Sequence, residues 1–375
     1  MRAALRTIYH LGVKELFSLA RDPVLVGLIL YTFSFAIYTV AHGVKTEVRN
    51  ASIAFVDEDG SELSRRVRDA FLQPYFKRPK VLGVGEVDAA MDAGRFTFVV
   101  DIPPDFQADV LAGRTPTLQL NVDATAMTLA GNGSLYISSI INQEIASFVS
   151  RSDGAMALPA VLTVRAKFNP NLESSWFMAV MQIISNVTML SMIVAGASVI
   201  REREHGTIEH LLVMPLVPGE IILAKVWANG LVIVVAAVTS LTLVVKGLLG
   251  VQLDGSTALF ALGTAVFLFA MTALGITLAT IAKSMPQFGL LTIPFFVVMN
   301  LLSGGVTPLE AMPKALQIIM QVAPSKHFTA FAQSVLFRGA GIGIVWPMLA
   351  AMAAIGVVLF FIALVRFRAT MSAAR

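Results

Sequence analysis

The 375-residue chain contains no cysteine, which excludes disulfide bonds, thiolate metal sites and a cysteine nucleophile. It also lacks a Gly-x-x-x-x-Gly-Lys-Ser/Thr sequence, so it cannot cradle ATP phosphates in the P-loop manner. Charged residues make up only 14% of the chain, whereas hydrophobic residues make up 56%. These proportions lie far from those of a soluble domain and predict a polytopic membrane protein.

Six stretches contain no Asp, Glu, Lys or Arg, and each is long enough to cross about 30 Å of hydrocarbon as a helix. They predict six transmembrane helices, at residues 23–44, 174–200, 226–245, 255–282, 284–309 and 339–365. Proton- and ion-coupled transporters usually need ionisable side chains in mid-membrane. Their absence from these runs disfavours a secondary transporter and favours an apolar and amide-lined pathway driven by an external motor.

The basic residues predict the orientation of the chain. Residues 45–173 carry 13 Lys and Arg against 16 Asp and Glu, so the net charge of +4 comes from the rest of the chain. If the N-terminus is cytoplasmic and each run crosses once, eleven Lys and Arg lie in inside segments and four in short outside segments. This bias obeys the positive-inside rule, so we expect both termini, including residues 369–375, in the cytoplasm.

Residues 45–173 alternate short predicted strands with amphipathic helices, which indicates a compact α/β domain. The strands are predicted at 53–56, 96–100, 118–122 and 162–168. The predicted fold is a polytopic α-helical membrane protein with six transmembrane helices and this external (periplasmic) α/β domain inserted between spans one and two. Residues 1–22 predict a cytoplasmic amphipathic connecting helix, and residues 306–338 predict short external re-entrant helices within the membrane domain 174–368.

A dense charged patch lies between the second and third runs. Charge this concentrated must sit in water, and Gly206 can end the preceding helix while Pro215 stops the following segment. The patch predicts a short amphipathic helix on the membrane surface at about residues 201–216. An ordinary charged loop that only fixes the topology is the alternative interpretation.

The run Arg-Glu-Arg-Glu-x-Gly-Thr-x-Glu-x-Leu-Leu-x-x-Pro at residues 201–215 resembles the coupling-helix signature of ABC-2 type transporter permeases, also called type V. The order of predicted elements also resembles that of the larger permeases of the family, with one span, then a soluble domain, then five further spans. The resemblance therefore covers the whole chain. It implies that the chain itself is not an enzyme and that a separate cytoplasmic subunit binds ATP and Mg. The residues that would contact this ATPase subunit are Arg201, Glu202, Arg203, Glu204, Gly206, Thr207, Glu209, Leu212 and Pro215.

The same resemblance implies further partners and a location. A second permease chain, identical or related, would complete a dimer in the bacterial inner membrane. External domains of the family can engage a periplasmic adaptor protein. No nucleic-acid partner is expected.

A second set of residues is predicted to line a substrate path. One face of the second run combines amides with flexible methionines, and one face of the fifth run combines aromatic rings with an amide. Family members place their central cavity between the corresponding spans. The predicted path residues are Met181, Gln182, Ser185, Asn186, Met189, Phe295, Phe296, Met299 and Asn300. Packing within the dimer is the alternative role for each of them.

The leading functional hypothesis is the permease subunit of an ATP-binding-cassette exporter. Its substrate would be apolar, amphiphilic or drug-like and would leave the cytoplasm or the inner leaflet. The alternative is a membrane-anchored receptor or assembly factor that acts through the external domain. No residue pattern supports a membrane enzyme, so no catalytic or metal-binding residue is predicted.

Overall fold

The structure, a computed structural model, shows two separate units. One unit comprises Met1–Val44 and Ser175–Arg375, and the other comprises Lys45–Ser174. The described residues are 2–43, 48, 50–123, 127–152, 173–206, 217–253, 255–307, 309 and 312–373.

The elements follow the order of the predicted runs and of the predicted strands and helices between them. In chain order they are α1 (Arg2–Ala20), α2 (Pro23–Phe33), α3 (Phe35–Gly43), β1 (Ile53–Asp57), α4 (Glu62–Asp69), β2 (Lys80–Val81), α5 (Val87–Asp92), β3 (Phe98–Ile102), α6 (Phe106–Leu111), β4 (Gln119–Val122), α7 (Met127–Ser152), α8 (Ser174–Glu204), α9 (Pro218–Thr239), α10 (Thr257–Ile281), α11 (Met285–Leu301), α12 (Lys314–Ile319), α13 (Pro324–Leu336) and α14 (Ile342–Ala373). A π-helix, Ser240–Leu248, continues α9.

Within the part of the chain that the structure describes, five helical stretches are long and apolar enough to cross a membrane, by length and composition. They are Pro23–Gly43, Ser174–Glu204, Pro218–Leu248, Thr257–Ile281 and Ile342–Thr370. The remaining predicted run contains α11, whose 17 residues are about 26 Å long and fall short of a typical hydrocarbon core of about 30 Å. The chain is therefore a polytopic helical membrane protein, and its described residues contain five helices of full spanning length, where the sequence predicts six spans.

The short α11 ends where glycine permits a sharp turn. Gly304 has a φ of 88°, a left-handed conformation that other residues rarely adopt. The predicted run 284–309 thus contains a helix only as far as Leu301. An apolar run without charge predicts that a segment enters the membrane, but it does not give the residue at which the helix stops.

The first predicted span, 23–44, is broken between α2 and α3. Ser34 has φ −125° and ψ −82°, which lie outside the helical region. At this break the Asn186 side chain of α8 donates from Nδ2 to the Thr32 carbonyl oxygen at 2.5 Å. Because lipid offers no hydrogen bonds, a broken helix needs such a donor from a neighbouring helix.

Helix α8 is the central helix of this unit. In its most apolar stretch 78% of the residues are buried, against 17% for α14. Its backbone crosses that of α10 closely, since a Cβ on Gly275 would lie 2.4 Å from the Met192 carbonyl oxygen. Likewise, a Cβ on Gly196 would lie 2.9 Å from the Gly275 carbonyl oxygen. Small residues permit such contact between membrane helices.

The second unit is an α/β fold with a four-stranded sheet in the order β2-β1-β3-β4. Strand β1 is parallel to both β2 and β3, and β4 is antiparallel to β3. Side chains from α4, α6 and α7 pack on one face around an aromatic core, and α5 packs on the other face through Ala90. The aromatic core consists of Phe55, Phe71, Phe76, Phe98 and Phe106.

The predicted strands at 53–56, 96–100 and 118–122 are confirmed as β1, β3 and β4. The predicted strand at 162–168 lies outside the described residues. The two-residue strand β2 was not predicted, because both of its side chains are exposed and it carries no alternating pattern.

Candidate functional site

The charged patch begins as the last turn of α8. The helix continues to Glu204, and the chain then turns at His205 and Gly206, where the φ of Gly206 is 67°. The prediction that Gly206 ends the helix is confirmed. The first four residues of the predicted helix at 201–216 belong to α8, and its residues 207–216 lie outside the described residues.

The predicted contact residues therefore fall into two groups. Arg201, Glu202, Arg203 and Glu204 lie on α8 and Gly206 lies in the turn, whereas Thr207, Glu209, Leu212 and Pro215 lie outside the described residues.

Arg201 binds the start of the first membrane helix. Its guanidinium Nη1 lies 2.5 Å from Asp22 Oδ2. Asp22 is the N-cap of α2, and its Oδ1 accepts a hydrogen bond from the Leu25 backbone N–H at 3.1 Å. This N–H bond, together with the Arg201 guanidinium, lowers the pKa of Asp22 below its ordinary value.

Glu202 contacts a lysine that is almost completely buried. The Lys225 Nζ atom of α9 lies 2.9 Å from Glu202 Oε1 and 2.8 Å from Glu15 Oε1 of α1. It also donates to Ser198 Oγ at 3.2 Å. The Lys225 side chain is only 1% exposed, so these oxygens replace its hydration shell. We refer to Glu15, Ser198, Glu202 and Lys225 as the Lys225 cluster.

Arg203 and Glu204 bind the two helix ends that face each other across the turn between α10 and α11. Arg203 donates from Nη2 to the carbonyl oxygen of Ala282, the C-cap residue of α10, at 2.6 Å. Glu204 Oε1 accepts the backbone N–H of Met285, the first residue of α11, at 3.0 Å. Both contacts satisfy backbone groups that a helix end leaves without an intrahelical partner.

Four consecutive residues reach four different neighbours because successive side chains on a helix point about 100° apart. The last turn of α8 thereby binds α2, α9, α10 and α11, and through Lys225 it also binds α1. The side chains predicted to meet an ATPase subunit thus hold the ends of the helices of their own chain.

Helix α1 is held against α9 at a second point. The Trp227 indole donates from Nε1 to the Ile8 carbonyl oxygen at 3.1 Å and stacks on the Tyr9 ring with 6.0 Å between centroids. A Cβ on Gly12 would lie only 2.1 Å from the same indole, so glycine is required for this approach. One and a half turns of α1 therefore lie directly on α9, ahead of the Glu15 contact.

A cavity of about 320 Å³ lies beside the Lys225 cluster, between α1 and the end of α8. Its lining is strongly polar and carries both signs of charge. The lining residues are Lys14, Glu15, Ser18, Ser198, Arg201, Glu202 and His205.

Sequence reasoning missed the partners of this site. Lys225 was counted as an ordinary inside charge, and Glu15 and Asp22 received no role. One signal was available, because Lys225 lies within an apolar stretch of α9 that includes the buried residues Ile221, Ile222 and Ala228. A lone lysine among buried apolar neighbours requires a counter-charge.

The predicted substrate-path residues are only partly brought together. Ser185 Oγ donates to Asn300 Oδ1 at 2.5 Å, so α8 and α11 do meet at predicted residues. Gln182 donates to the Asn186 side chain at 2.9 Å, but Asn186 is 3% exposed and binds the break in the first span. Phe295 remains 43% exposed.

The other predicted path residues lie closer to the core of the same unit. Met181 is buried, and its sulfur accepts a hydrogen bond from Gln333 Nε2 at 3.6 Å. Three others, Met189, Phe296 and Met299, are partly buried and pack against the core.

Comparison with known proteins agrees with this architecture. The family model described as "ABC-2 family transporter protein" matches residues 23–365. The chain is 50% identical over 366 residues to "Inner membrane transport permease YhhJ" of Escherichia coli K12, covering 98% of each chain. It is 28% identical over 348 residues to "Probable multidrug ABC transporter permease YbhR" of the same organism, covering 90% of this chain and 91% of the relative. A third relative, "Probable multidrug ABC transporter permease YbhS", is 24% identical over 347 residues.

The Asp22 contacts generate a prediction about stability and pH. Asp22→Ala removes both the cap and the ion pair and should destabilise the protein by about 1–2 kcal/mol, whereas Asp22→Asn keeps a cap acceptor and should cost less. Because the folded-state pKa of Asp22 is lowered, the carboxylate stabilises the fold above its unfolded pKa of about 3.9, and this stabilisation is lost as the pH falls through the folded pKa.

Thermal unfolding of the purified protein between pH 7 and pH 3 checks this prediction. The difference between the original protein and Asp22→Asn should be constant from pH 7 to pH 5 and should shrink below about pH 4. Asp92→Ala, which removes an exposed carboxylate of α5, is the control and should show no such difference. An equal loss for Asp22→Ala and Asp92→Ala at pH 7 would contradict the assignment.

Proposed function

The chain belongs to the ABC-2 family of transporter proteins, and on this premise we propose that it is the permease subunit of an ATP-binding-cassette exporter. Members of this family are membrane transport subunits, and their ATPase lies in a separate subunit. The relatives and the apolar helices support a multi-pass protein of the inner membrane. The observation that carries the proposal is the last turn of α8, which binds three other helix ends and the buried Lys225 of α9 directly before residues 207–216.

The proposed motor is a partner ATPase that binds ATP and Mg. Arg201–Glu204 bind helix ends of this chain, so the surface for the ATPase is proposed to begin at Gly206. It would include Thr207, Glu209, Leu212 and Pro215. A force on this segment would reach the spans through the contacts of Arg201–Glu204.

The proposed topology has six crossings, with α11 as the short one, and cytoplasmic termini. The basic bias of the inside segments supports this orientation. Exposed apolar residues on α1, such as Leu5, Tyr9 and Phe17, support a helix that lies in the membrane surface. The α/β unit is then external, where it could meet a periplasmic adaptor.

The proposed substrate is apolar, amphiphilic or drug-like, and it moves out of the cytoplasm or the inner leaflet. Two relatives are named as multidrug permeases. The exposed face of α11 offers Phe295 and other apolar side chains, and a second permease chain is proposed to complete the path along this face. Asn186 is assigned to packing, because its amide binds the break in the first span.

The ATPase contact is tested at Glu209. Glu209→Arg should insert into the membrane normally but should lower the ATPase activity of the co-purified complex by about tenfold or more, since a reversed charge opposes the partner surface. The measurements are co-purification of the tagged chain with its native partners and ATP hydrolysis in nanodiscs. Glu58→Arg, an exposed charge reversal in the α/β unit, is the matched control.

The same experiment separates the two candidate functions. A receptor or assembly factor would co-purify without an ATPase subunit. If Glu209→Arg hydrolyses ATP and transports as fast as the original complex, the assignment of residue 209 is wrong.

The topology is tested with single cysteines, which the cysteine-free chain accepts without background. In intact spheroplasts, a membrane-impermeant maleimide should label Glu58→Cys, whereas His205→Cys should react only after permeabilisation. Both positions are exposed, so access depends on the side of the membrane. The opposite pattern would reverse the proposed orientation.

The path assignment is tested by comparing two neighbouring spans. Phe295→Ala should change the profile of drugs to which cells are resistant and shift stability by no more than about 0.5 kcal/mol, because the ring is exposed. Asn186→Leu should instead lower stability by about 1–3 kcal/mol, because it leaves the Thr32 carbonyl without its donor.

Thermal unfolding and drug-resistance assays give the two measurements. Phe361→Ala, which removes an aromatic ring of α14 that is 58% exposed, is the control and should change neither. A resistance profile that is identical for Phe295→Ala and Phe361→Ala would remove Phe295 from the path.

A further inference from the structure

We propose that Lys225 is a positioning residue that makes α1 move together with the end of α8 during the transport cycle. The proposal rests on the proposed function, because it assigns the path by which movement of residues 207–216 reaches α1. None of the coupling residues predicted from the sequence lies on α1 or α9.

The first step of the argument is burial. The Lys225 ammonium is 1% exposed, and an isolated ammonium would lose several kcal/mol of hydration there. Glu15 and Glu202 lie within 2.8 and 2.9 Å of the Nζ atom, and Ser198 completes its surroundings. No single helix could move away without leaving a buried charge with fewer partners.

The second step is connectivity. Glu202 stands three residues before the turn at His205, and Lys225 stands seven residues after Pro218, where α9 begins. Their ion pair therefore joins two residues that flank the segment 207–216 in sequence. Glu15 attaches α1 to this ion pair through Lys225, although Glu15 and Lys225 are 210 positions apart in the chain.

The third step is that α1 is attached to α9 at a second point. The Trp227 indole holds α1 at Ile8 and Gly12, about one to two turns from Glu15. Two attachment points on one helix fix its direction as well as its position. A displacement of α9 is thus passed to the whole of α1.

The experiment uses the complete complex in nanodiscs made from Escherichia coli polar lipids. Lys225→Met should lower ATP hydrolysis by about tenfold or more, because it leaves two carboxylates that are only 13% and 16% exposed without their cation. Lys225→Arg should retain most of the activity. Exchange of the charges, with Glu202→Lys and Lys225→Glu together, should recover part of the loss. If residue 225 only filled space, neither Lys225→Arg nor the exchange of charges would restore activity.

A second variant covers the case in which Lys225→Met fails to assemble. Glu15→Leu removes the carboxylate that attaches α1 to the Lys225 cluster, while the Trp227 contact with α1 remains and Lys225 stays bonded to Glu202 and Ser198, so assembly should persist. Arg6→Leu is the matched control, because it removes an exposed charge from the same helix.

The movement of α1 relative to the end of α8 is measured with nitroxide labels attached to two introduced cysteines, Ser18→Cys and His205→Cys. Ser18 and His205 are exposed and line the same cavity. With Glu15 present, their dipolar broadening should be the same without nucleotide and after trapping with ATP and vanadate. With Glu15→Leu it should fall on trapping.

Two outcomes would overturn the proposal for Lys225, and a third would overturn the proposed function. Unchanged ATP hydrolysis in Lys225→Met overturns the proposal, as does a trapping-dependent change of the broadening that is equal with and without Glu15. If the original chain recovers no ATPase subunit at all, the proposed function fails instead, and the two failures are distinguishable.

Discussion

The Lys225 ammonium imposes the strictest requirement in the membrane unit, because it is a full charge with almost no access to water. Removing a cation of this size from water costs several kcal/mol, and only close oppositely charged groups offset that cost. The two carboxylates that do so come from α1 and α8, while the lysine comes from α9. The positions of these three helices at one end of the unit are therefore fixed by a single charge. Removing one partner should destabilise far more than replacing the whole cluster with apolar side chains, so the cluster specifies an arrangement more than it adds stability.

A second constraint is that every backbone group within hydrocarbon needs a partner inside the protein. The break at Ser34 is a place where helical hydrogen bonding stops inside a predicted span, and there Asn186 supplies a donor to the Thr32 carbonyl. The start of α11 is another helix end, and there Glu204 accepts the Met285 N–H. Three polar residues of the predicted substrate path and partner surface, Asn186, Arg203 and Glu204, bind backbone groups of their own chain.

The sequence was sufficient for features that depend on local composition. The long apolar runs predicted the spanning helices, short apolar runs predicted β1 and β3, alternation predicted β4, and Gly206 marked the end of α8. It was insufficient for features that depend on partners far along the chain. Glu15 and Lys225 are 210 residues apart, and Asp22 and Arg201 are 179 apart, so no local pattern joins them.

The alternation of sign in Arg-Glu-Arg-Glu follows from what each residue faces. Arg201 meets a carboxylate and Glu202 meets an ammonium. Arg203 meets a carbonyl at the C-terminal end of α10, where the helix dipole is negative, and Glu204 meets an amide at the N-terminal end of α11, where it is positive. Since α10 and α11 are consecutive helices joined by a short turn, a negative and a positive helix end necessarily lie side by side there. Two adjacent residues of opposite sign on α8 match that pair, and exchanging the signs of Arg203 and Glu204 would set each against the wrong helix end. The four-residue pattern thus encodes the direction of the neighbouring helices, which a charged loop that only set topology would not require.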